Sequence, residues 1–181
     1  MKAQDCTLLS GGAKGAEAEF GAQAEEAGAQ EVNYTFEGHK IARKRGVRVL
    51  TKEELLNGDV SLSYLSKLMN RSFNQGPLMK KVLQSIWHQI NHAEEVFVIG
   101  KILEDNTVKG GTGWGAEFAK ICNKPLYVFD QDEVQWFKWD QDKWKKSPAK
   151  IHKKQFAGTG TRFLNDEGKK AIAELFKNSF K

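Results

Sequence analysis

Gly110-Gly111-Thr112-Gly113-Trp114-Gly115-Ala116-Glu117 lies between two apolar segments of different character. The segment before it, 95–100, has the composition of a buried strand, and the segment after it, 118–122, that of a helix. Glycines at a strand-to-helix junction let the backbone approach a ligand closely, and the start of the helix offers unpaired N–H groups to an anion. The stretch therefore predicts a phosphate-binding loop in an α/β fold.

Two further glycine-rich turns follow apolar segments. Residues 6–9 lead into Ser10-Gly11-Gly12-Ala13-Lys14-Gly15-Ala16-Glu17, and residues 155–157 lead into Gly158-Thr159-Gly160-Thr161-Arg162. A helix-like segment follows each turn. Because ligands of open parallel sheets bind outside the carboxyl ends of the strands, we expect the three turns to share one pocket.

Strand-like and helix-like segments alternate along the chain, which is typical of a parallel sheet with helices on both faces. Gly28 is a predicted helix stop, Pro77 a first helical residue, and Asn165 or Asp166 a helix cap. We expect a Rossmann-like three-layer sandwich with a mostly parallel five-stranded central sheet. The predicted strands are Cys6–Leu9, Glu31–Phe36, Val96–Gly100, Leu126–Phe129 and Gln155–Ala157.

An aromatic segment follows the fourth of these strands. Residues 133–139 are followed by the polar residues 140–142 and then by Lys143 and Trp144, which predicts an aromatic β-hairpin in the C-terminal half. Its three tryptophans suit two roles. They could stack on a base or nucleoside, or they could cover a sheet edge or a partner subunit, and we favour the second role.

The overall composition indicates the class of protein. The chain of 181 residues, 40% hydrophobic and 28% charged, can bury one core, so residues 1–181 are predicted to form a single domain. No apolar run approaches about 18 residues and none resembles a signal peptide, so we expect a soluble, cytoplasmic protein without membrane contact. The formal charge of +5 is compatible with anionic partners but selects none.

The first two glycine turns resemble those of a known superfamily. Residues 10–17 look like the Ser-Gly-Gly-Ala-x-Gly-Ala-Asp loop of the SLOG superfamily, a Rossmann-like group that contains the LOG phosphoribohydrolases and the DprA-type DNA-processing proteins. Residues 110–117 are similar to the Gly-Gly-x-Gly-Thr-x-x-Glu loop of LOG enzymes. Residues 124–131, with Trp136, look like phage and bacterial relatives, so the resemblance covers about residues 6–139.

The C-terminal segment resembles the part of a SLOG domain that ordinarily comes first. Residues 156–162 and the helix after them are similar to the first strand, Gly-Ser-Arg turn and first helix of those domains. The order of elements therefore looks circularly permuted. The resemblance implies the spatial strand order 31–36, 6–9, 155–157, 96–100 and 126–129. The alternative is an ordinary C-terminal strand at a sheet edge, with Gly158 and Gly160 serving only as turn formers.

The resemblance implies binding or sensing of a nucleotide-like or phosphoribosyl ligand. We expect no cofactor, and we expect no bound metal because the chain has only two cysteines and the helical pair His88 and His92 lacks a third ligand. Arg162 is the expected phosphate clamp, because a guanidinium binds phosphate in bidentate fashion, and Lys14 is the expected second cation. Plain solvent exposure is the alternative for both. The expected ligand-binding residues are Ser10, Gly11, Gly12, Lys14, Gly15, Gly110, Gly111, Thr112, Gly113, Gly158, Thr159, Gly160, Thr161 and Arg162.

An enzymatic alternative rests on Glu117. In LOG enzymes the matching loop glutamate is implicated in cleaving the N-glycosidic bond of a nucleotide, and a carboxylate can stabilise the oxocarbenium-like charge that develops there. Glu117 is therefore the candidate catalytic residue of a phosphoribohydrolase, with complementing the helix dipole as its other role. Trp114 stands where the family loop has threonine, and the family's Met-x-x-Arg-Lys motif has no clean match.

A third function uses the cations of residues 39–48. These could bind nucleic acid, as DprA-type proteins do by other means, but we favour a solvated loop over the pocket. The superfamily resemblance also implies a homodimer.

Overall fold

Eight strands form one continuous sheet in the computed structural model of the protein, which describes residues 1–180. The strands are β1 (Thr7–Ser10), β2 (Gln30–Thr35), β3 (Val47–Val49), β4 (Glu95–Gly100), β5 (Leu126–Asp130), β6 (Gln135–Asp140), β7 (Lys143–Lys146) and β8 (Gln155–Gly160). The helices are α1 (Ala16–Ala27), α2 (Lys52–Leu56), α3 (Asp59–Met69), α4 (Pro77–His92), α5 (Thr112–Ile121) and α6 (Asp166–Ser179).

The strand order is β3-β2-β1-β8-β4-β5-β6-β7. The pairs from β3 to β5 are parallel, whereas β5-β6 and β6-β7 are antiparallel. The last strand in the sequence, β8, lies between β1 and β4. The predicted order of the five strands is therefore confirmed, and the alternative of a C-terminal edge strand is wrong.

The predicted count of five strands is wrong, because three more strands extend the sheet at its two ends. The aromatic hairpin is confirmed as β6 and β7, but it continues the sheet through pairs such as Phe129 with Trp136 instead of standing apart. At the other end, β3 pairs with β2. All three residues of β3 are exposed, so its sequence lacks the alternation of buried and exposed side chains that marks a strand.

Helices cover both faces of the sheet. Along β4, Val96 and Val98 belong to a core cluster with side chains of α4 and α5, whereas Phe97 and Ile99 belong to a second cluster with side chains of α1 and α6. Successive residues of a strand point to opposite faces, so the two clusters lie on the two sides. Each of these buried side chains contributes about 1.5 to 3 kcal/mol relative to exposure.

The predicted helix ends are confirmed where the local chemistry is specific. Gly28 ends α1 in the left-handed conformation at φ +81°, Pro77 begins α4, and the Asn165 side chain caps α6 by accepting a hydrogen bond from Gly168 N at 2.8 Å. Within residues 1–180, no helix has the length and apolar character needed to cross a membrane.

The tryptophans of the hairpin pack on the protein itself. Trp136 packs edge-on against Phe129, with ring centroids 5.4 Å apart. Trp139 and Trp144 flank the ammonium of Lys120, at 3.8 and 5.1 Å from the ring centroids. Trp136 therefore covers the face of the sheet that α1 and α6 occupy, and Trp139 and Trp144 cover the face that α4 and α5 occupy. This agrees with the covering role favoured from the sequence.

Candidate functional site

A cavity of about 430 Å³ opens at the carboxyl ends of the inner parallel strands. One wall is formed by a face of α4, through Met79, Val82, Ser85, Ile86 and Gln89. The three glycine turns contribute Ala13, Glu17, Gly110, Gly111, Thr112, Thr159, Gly160, Thr161 and Arg162. Segments that are far apart in the sequence thus meet around one space.

The first and third turns are in direct backbone contact. The N–H of Ala16, the first residue of α1, donates to Thr161 O at 3.0 Å. Gly15 has φ +97°, and a Cβ there would lie 2.5 Å from Thr161 O and 2.6 Å from Arg162 Cα. Gly15 therefore permits the close approach that brings Arg162 to the cavity.

Ser10 and Gly11 lie outside the cavity lining but contribute to the packing around it. The Ser10 hydroxyl is fully buried and donates to Gly158 O at 2.6 Å, which ties β1 to β8. At Gly11, a Cβ would lie 2.5 Å from Gln89 Nε2 and 2.7 Å from Glu17 Oε2. Gly11 therefore makes room for these two polar side chains.

The predicted binding residues fall into two groups. Seven of them border the cavity: Gly110, Gly111, Thr112, Thr159, Gly160, Thr161 and Arg162. The others are not among its lining residues: Ser10, Gly11, Gly12, Lys14, Gly15, Gly113 and Gly158. Lys14 is an exposed side chain away from the cavity wall, so the structure does not bring the expected second cation into the site.

The second turn is held by an arginine from elsewhere in the chain. The Arg71 guanidinium donates to Val108 O at 3.0 Å, to Gly110 O at 3.3 Å and to Thr107 Oγ1 at 2.8 Å. α5 begins at Thr112, directly after the residues that Arg71 holds. Arg71 is thus a positioning residue for the cavity.

Arg162 is the cation of the third turn. It borders the cavity, is exposed, and forms no ion pair within the described part of the chain. Two lysines also border the cavity: Lys101 is paired with Asp132 at 2.5 Å, whereas Lys109 forms no ion pair within residues 1–180. The Arg162 guanidinium is therefore available to an anionic ligand.

A buried carboxyl lies beside Arg162. Glu17, the second residue of α1, is 6% exposed. Its Oε2 accepts from Ala13 N at 3.0 Å, and its Oε1 accepts from Thr159 Oγ1 at 2.9 Å and Gln89 Nε2 at 3.4 Å. Burial raises the pKa of the Glu17 carboxyl, and the three hydrogen bonds and the Arg162 charge oppose this shift.

His39 forms an aromatic part of the cavity wall. Its Nδ1 lies 3.0 Å from Thr35 Oγ1, and its ring stacks on Phe36 with centroids 4.5 Å apart. Burial lowers the pKa of His39, and the charge of Arg162 lowers it further. The neutral imidazole is therefore favoured at neutral pH.

Glu117 lies outside the cavity lining. It is the sixth residue of α5 and forms an ion pair with Lys120 at 3.1 Å, and Lys120 also donates to Asn106 O at 2.7 Å. Burial lowers the pKa of Lys120, and the neighbouring Glu117 opposes this shift. The structure thus places the expected catalytic glutamate beside the tryptophan hairpin and places Glu17 at the cavity.

The basic loop of residues 39–48 is partly neutralised. Arg43 Nε donates to both carboxylate oxygens of Glu31, at 2.8 and 2.9 Å, and its Nη2 donates to Glu25 at 2.7 Å. Arg48 pairs with Glu54 at 2.5 Å. Two of the cations considered for nucleic-acid binding therefore have carboxylate partners within the protein.

Sequence reasoning missed three residues that shape the site: Glu17, Gln89 and Arg71. Glu17 stands within the first glycine-rich motif, so its signal was present. Gln89 is a polar residue between the apolar Ile86 and Ile90 on the buried face of α4, a pattern that could have drawn attention to it. No local signal connects Arg71 with the turn that it holds.

The fold and cavity define an α/β protein with a ligand-sized space at the carboxyl ends of parallel strands. A scan against protein-family models, a search of curated proteins and a search of solved structures each gave no match. Among residues 1–180, no group of three His, Cys, Asp or Glu side chains is placed to hold a metal ion.

Proposed function

We propose that the protein binds a nucleotide-like or phosphoribosyl ligand in the cavity described above. The observation that carries the proposal is the meeting of the second and third glycine turns around one space with the unpaired Arg162. The volume of about 430 Å³ lies within the range of small-molecule sites, about 300 to 1,000 Å³. A Rossmann-like layering and a permuted SLOG ancestry belong to the same proposal.

The two sides of the cavity differ in character. The turn side carries Arg162, which suits a phosphate. The α4 side carries Met79, Val82 and Ile86, and His39 adds an aromatic ring. An anionic group at one end and a flat, largely apolar group at the other would therefore find matching surfaces, as in a nucleotide.

Isothermal titration calorimetry with AMP, ADP-ribose and ribose 5-phosphate tests the proposal. Arg162→Ala is expected to weaken each ligand about tenfold or more, because a charge-assisted contact is lost, and to leave adenosine binding unchanged. Arg45→Ala, at another exposed arginine, is the matched control. Absence of binding by all three ligands, or equal affinity in both variants, would contradict the proposal.

A second candidate function is hydrolysis of the N-glycosidic bond at the same cavity. The observation that favours it is Glu17, a buried carboxylate in the cavity wall, since a carboxylate can stabilise the oxocarbenium-like charge that develops as the bond breaks. Chromatography of AMP incubated with the protein should then show free base. Release lost in Glu17→Gln and retained in Glu117→Gln assigns the role to Glu17, and the converse assigns it to Glu117.

We also propose that the protein pairs with a second copy of itself through α3. Four apolar side chains at intervals of four residues, from the end of α2 through α3, are each more than half exposed, and we call them the α3 stripe: Leu56, Val60, Tyr64 and Leu68. Spacing of four places the last three on one helical face. A row of this kind exceeds the scattered apolar residues of an ordinary surface.

The α3 stripe is self-complementary. In an antiparallel pair of α3 helices, Tyr64 meets its counterpart while Val60 of one copy lies opposite Leu68 of the other. Matched apolar side chains at symmetry-related positions are a property of a two-fold symmetric interface.

A further inference from the structure

Gln89 has a buried acceptor with no partner. Its side chain is 1% exposed, and its Oε1 has no hydrogen-bond partner within residues 1–180. Buried side-chain oxygens are nearly always hydrogen-bonded, so an orphaned acceptor requires an explanation. Gln89 lines the cavity, so a small shift of its side chain would bring the shielded Oε1 to a bound ligand, which can supply the missing donor.

The neighbours of Gln89 determine which atom of its side-chain amide lacks a hydrogen-bond partner. Its Nε2 lies 3.4 Å from Glu17 Oε1, which also accepts a hydrogen bond from Thr159. Rotating the amide by half a turn would place two acceptor oxygens against each other. The carboxylate therefore keeps the NH₂ group facing Glu17 and leaves Oε1 as the free acceptor.

The residues around Gln89 Oε1 disfavour the binding of a phosphate at that atom. The Glu17 carboxylate repels an anion, and within residues 1–180 no lysine or arginine forms an ion pair or hydrogen bond with Glu17 or Gln89. A single uncharged O–H or N–H group needs only one acceptor, and Gln89 Oε1 is the acceptor of this cluster that lacks a partner. A neutral hydrogen-bond donor fits this position best.

We infer that Gln89, oriented by Glu17, is a hydroxyl-binding group that distinguishes ribose from deoxyribose in the ligand. The inference rests on the proposed function, because the phosphate bound at Arg162 places the sugar within the cavity. A ligand hydroxyl donates to Gln89 Oε1 and completes the hydrogen bonding of the amide. A deoxy ligand leaves that acceptor unpaired, so the site rejects it.

The test compares the affinities of AMP, 2′-deoxy-AMP and 3′-deoxy-AMP by calorimetry. We expect the protein to bind at least one deoxy ligand about tenfold more weakly than AMP. In Gln89→Met, which keeps the length of the side chain but removes the acceptor, the ratio should fall to about one. Gln84→Met is the matched control, because Gln84 is a buried glutamine of the same helix that does not line the cavity, and it should keep the ratio.

The outcomes separate the two proposals. Equal affinity for AMP and both deoxy ligands, with binding that still depends on Arg162, would overturn the role of Gln89 and leave the proposed function standing. Absence of binding by all three ligands would overturn both. If Gln89→Met does not fold, equal affinity of the unmodified protein for the three ligands would still overturn the inference.

Discussion

Thr159 donates a hydrogen bond of 2.9 Å to Glu17 across 142 residues of the chain. Both residues are buried, and the bond joins the third glycine turn to the first turn of α1. Because β8 pairs in parallel with β1, the carboxyl ends of these two strands are adjacent, and so are the segments that follow them. The central position of β8 thus has a direct consequence for the site, since the last strand and the turn after it supply part of the cavity wall.

Replacing Thr159 with valine tests the importance of this bond. The change keeps the shape of the side chain but removes one donor from a buried carboxylate, which is expected to cost about 1 to 3 kcal/mol in the free energy of unfolding. Urea denaturation measures the loss. Thr161→Val is the control, because Thr161 is only half-buried and its hydroxyl contacts the neighbouring Phe163 N. Equal effects of the two changes would contradict this reading of the Thr159 bond.

Gly15 offers a second test, because Gly76 has the same φ of +97° in open surroundings. In Gly76→Ala the free energy of unfolding falls only because of the strained backbone conformation, by about 1 to 3 kcal/mol. Alanine at Gly15 must also displace the backbone of Thr161 and Arg162, which adds about 1 to 3 kcal/mol. Thermal or urea unfolding of the two variants gives the difference. A Gly15→Ala variant no less stable than Gly76→Ala would show that the two turns separate freely.

The two glutamates show what the sequence could and could not predict. Both follow a glycine-rich turn, but Glu17 is the second residue of α1 and Glu117 the sixth residue of α5. Because a helix turns about 100° per residue, the position of the helix start decides whether a side chain faces the cavity. Arg71 holds the residues that precede α5 through contacts across 36 to 39 residues of the chain, and such contacts leave no local pattern.

The strands also differ in whether the sequence alone could predict them. The buried strands, such as β4, have continuous apolar sequences, and their order followed from a resemblance to a known arrangement of turns. Strand β3 is exposed at all three residues and is recognised only by its pairing with β2. The orientation of Gln89 likewise depends on Glu17, a contact between segments 72 residues apart.

The contacts of Arg71 give a third prediction. Arg71→Lys keeps the charge but cannot donate to three oxygens in the same geometry, so the turn of residues 107–112 should open more often. Hydrogen exchange should show faster exchange in these residues, and phosphate ligands should bind several-fold more weakly. Arg48→Lys, at an exposed ion pair with Glu54, should change neither. Unchanged exchange in residues 107–112 would rule out the positioning role.

Self-association through the α3 stripe is tested by Tyr64→Glu. Two carboxylates would face each other at the centre of the antiparallel pair, so a dimer seen in analytical ultracentrifugation should become a monomer. Val134→Glu, at an exposed apolar residue outside the stripe, is the control and should remain dimeric. A monomeric unmodified protein at about 100 μM, well above the Kd of a stable complex, would contradict the proposed pairing.

Glu95 gives a prediction on pH. Its side chain is buried at the start of β4, and its Oε1 accepts from His152 N at 2.6 Å and Lys153 N at 2.7 Å. Burial raises the pKa of the Glu95 carboxyl, while these hydrogen bonds oppose the shift. Above the ordinary carboxyl pKa the folded state therefore binds more protons at this group than the unfolded state does, and stability falls as pH rises until the folded-state pKa is passed.

Glu95→Gln should remove this part of the pH dependence. A glutamine oxygen can still accept both backbone hydrogen bonds, but it carries no charge to desolvate. The variant should therefore have a higher Tm than the unmodified protein at pH 7.5, and the difference should shrink at pH 4.5. Glu94→Gln, at the neighbouring exposed carboxylate, is the control in the same buffers. A lower Tm for Glu95→Gln at pH 7.5 would mean that its charge stabilises the fold through the two N–H donors, against the direction of its raised pKa.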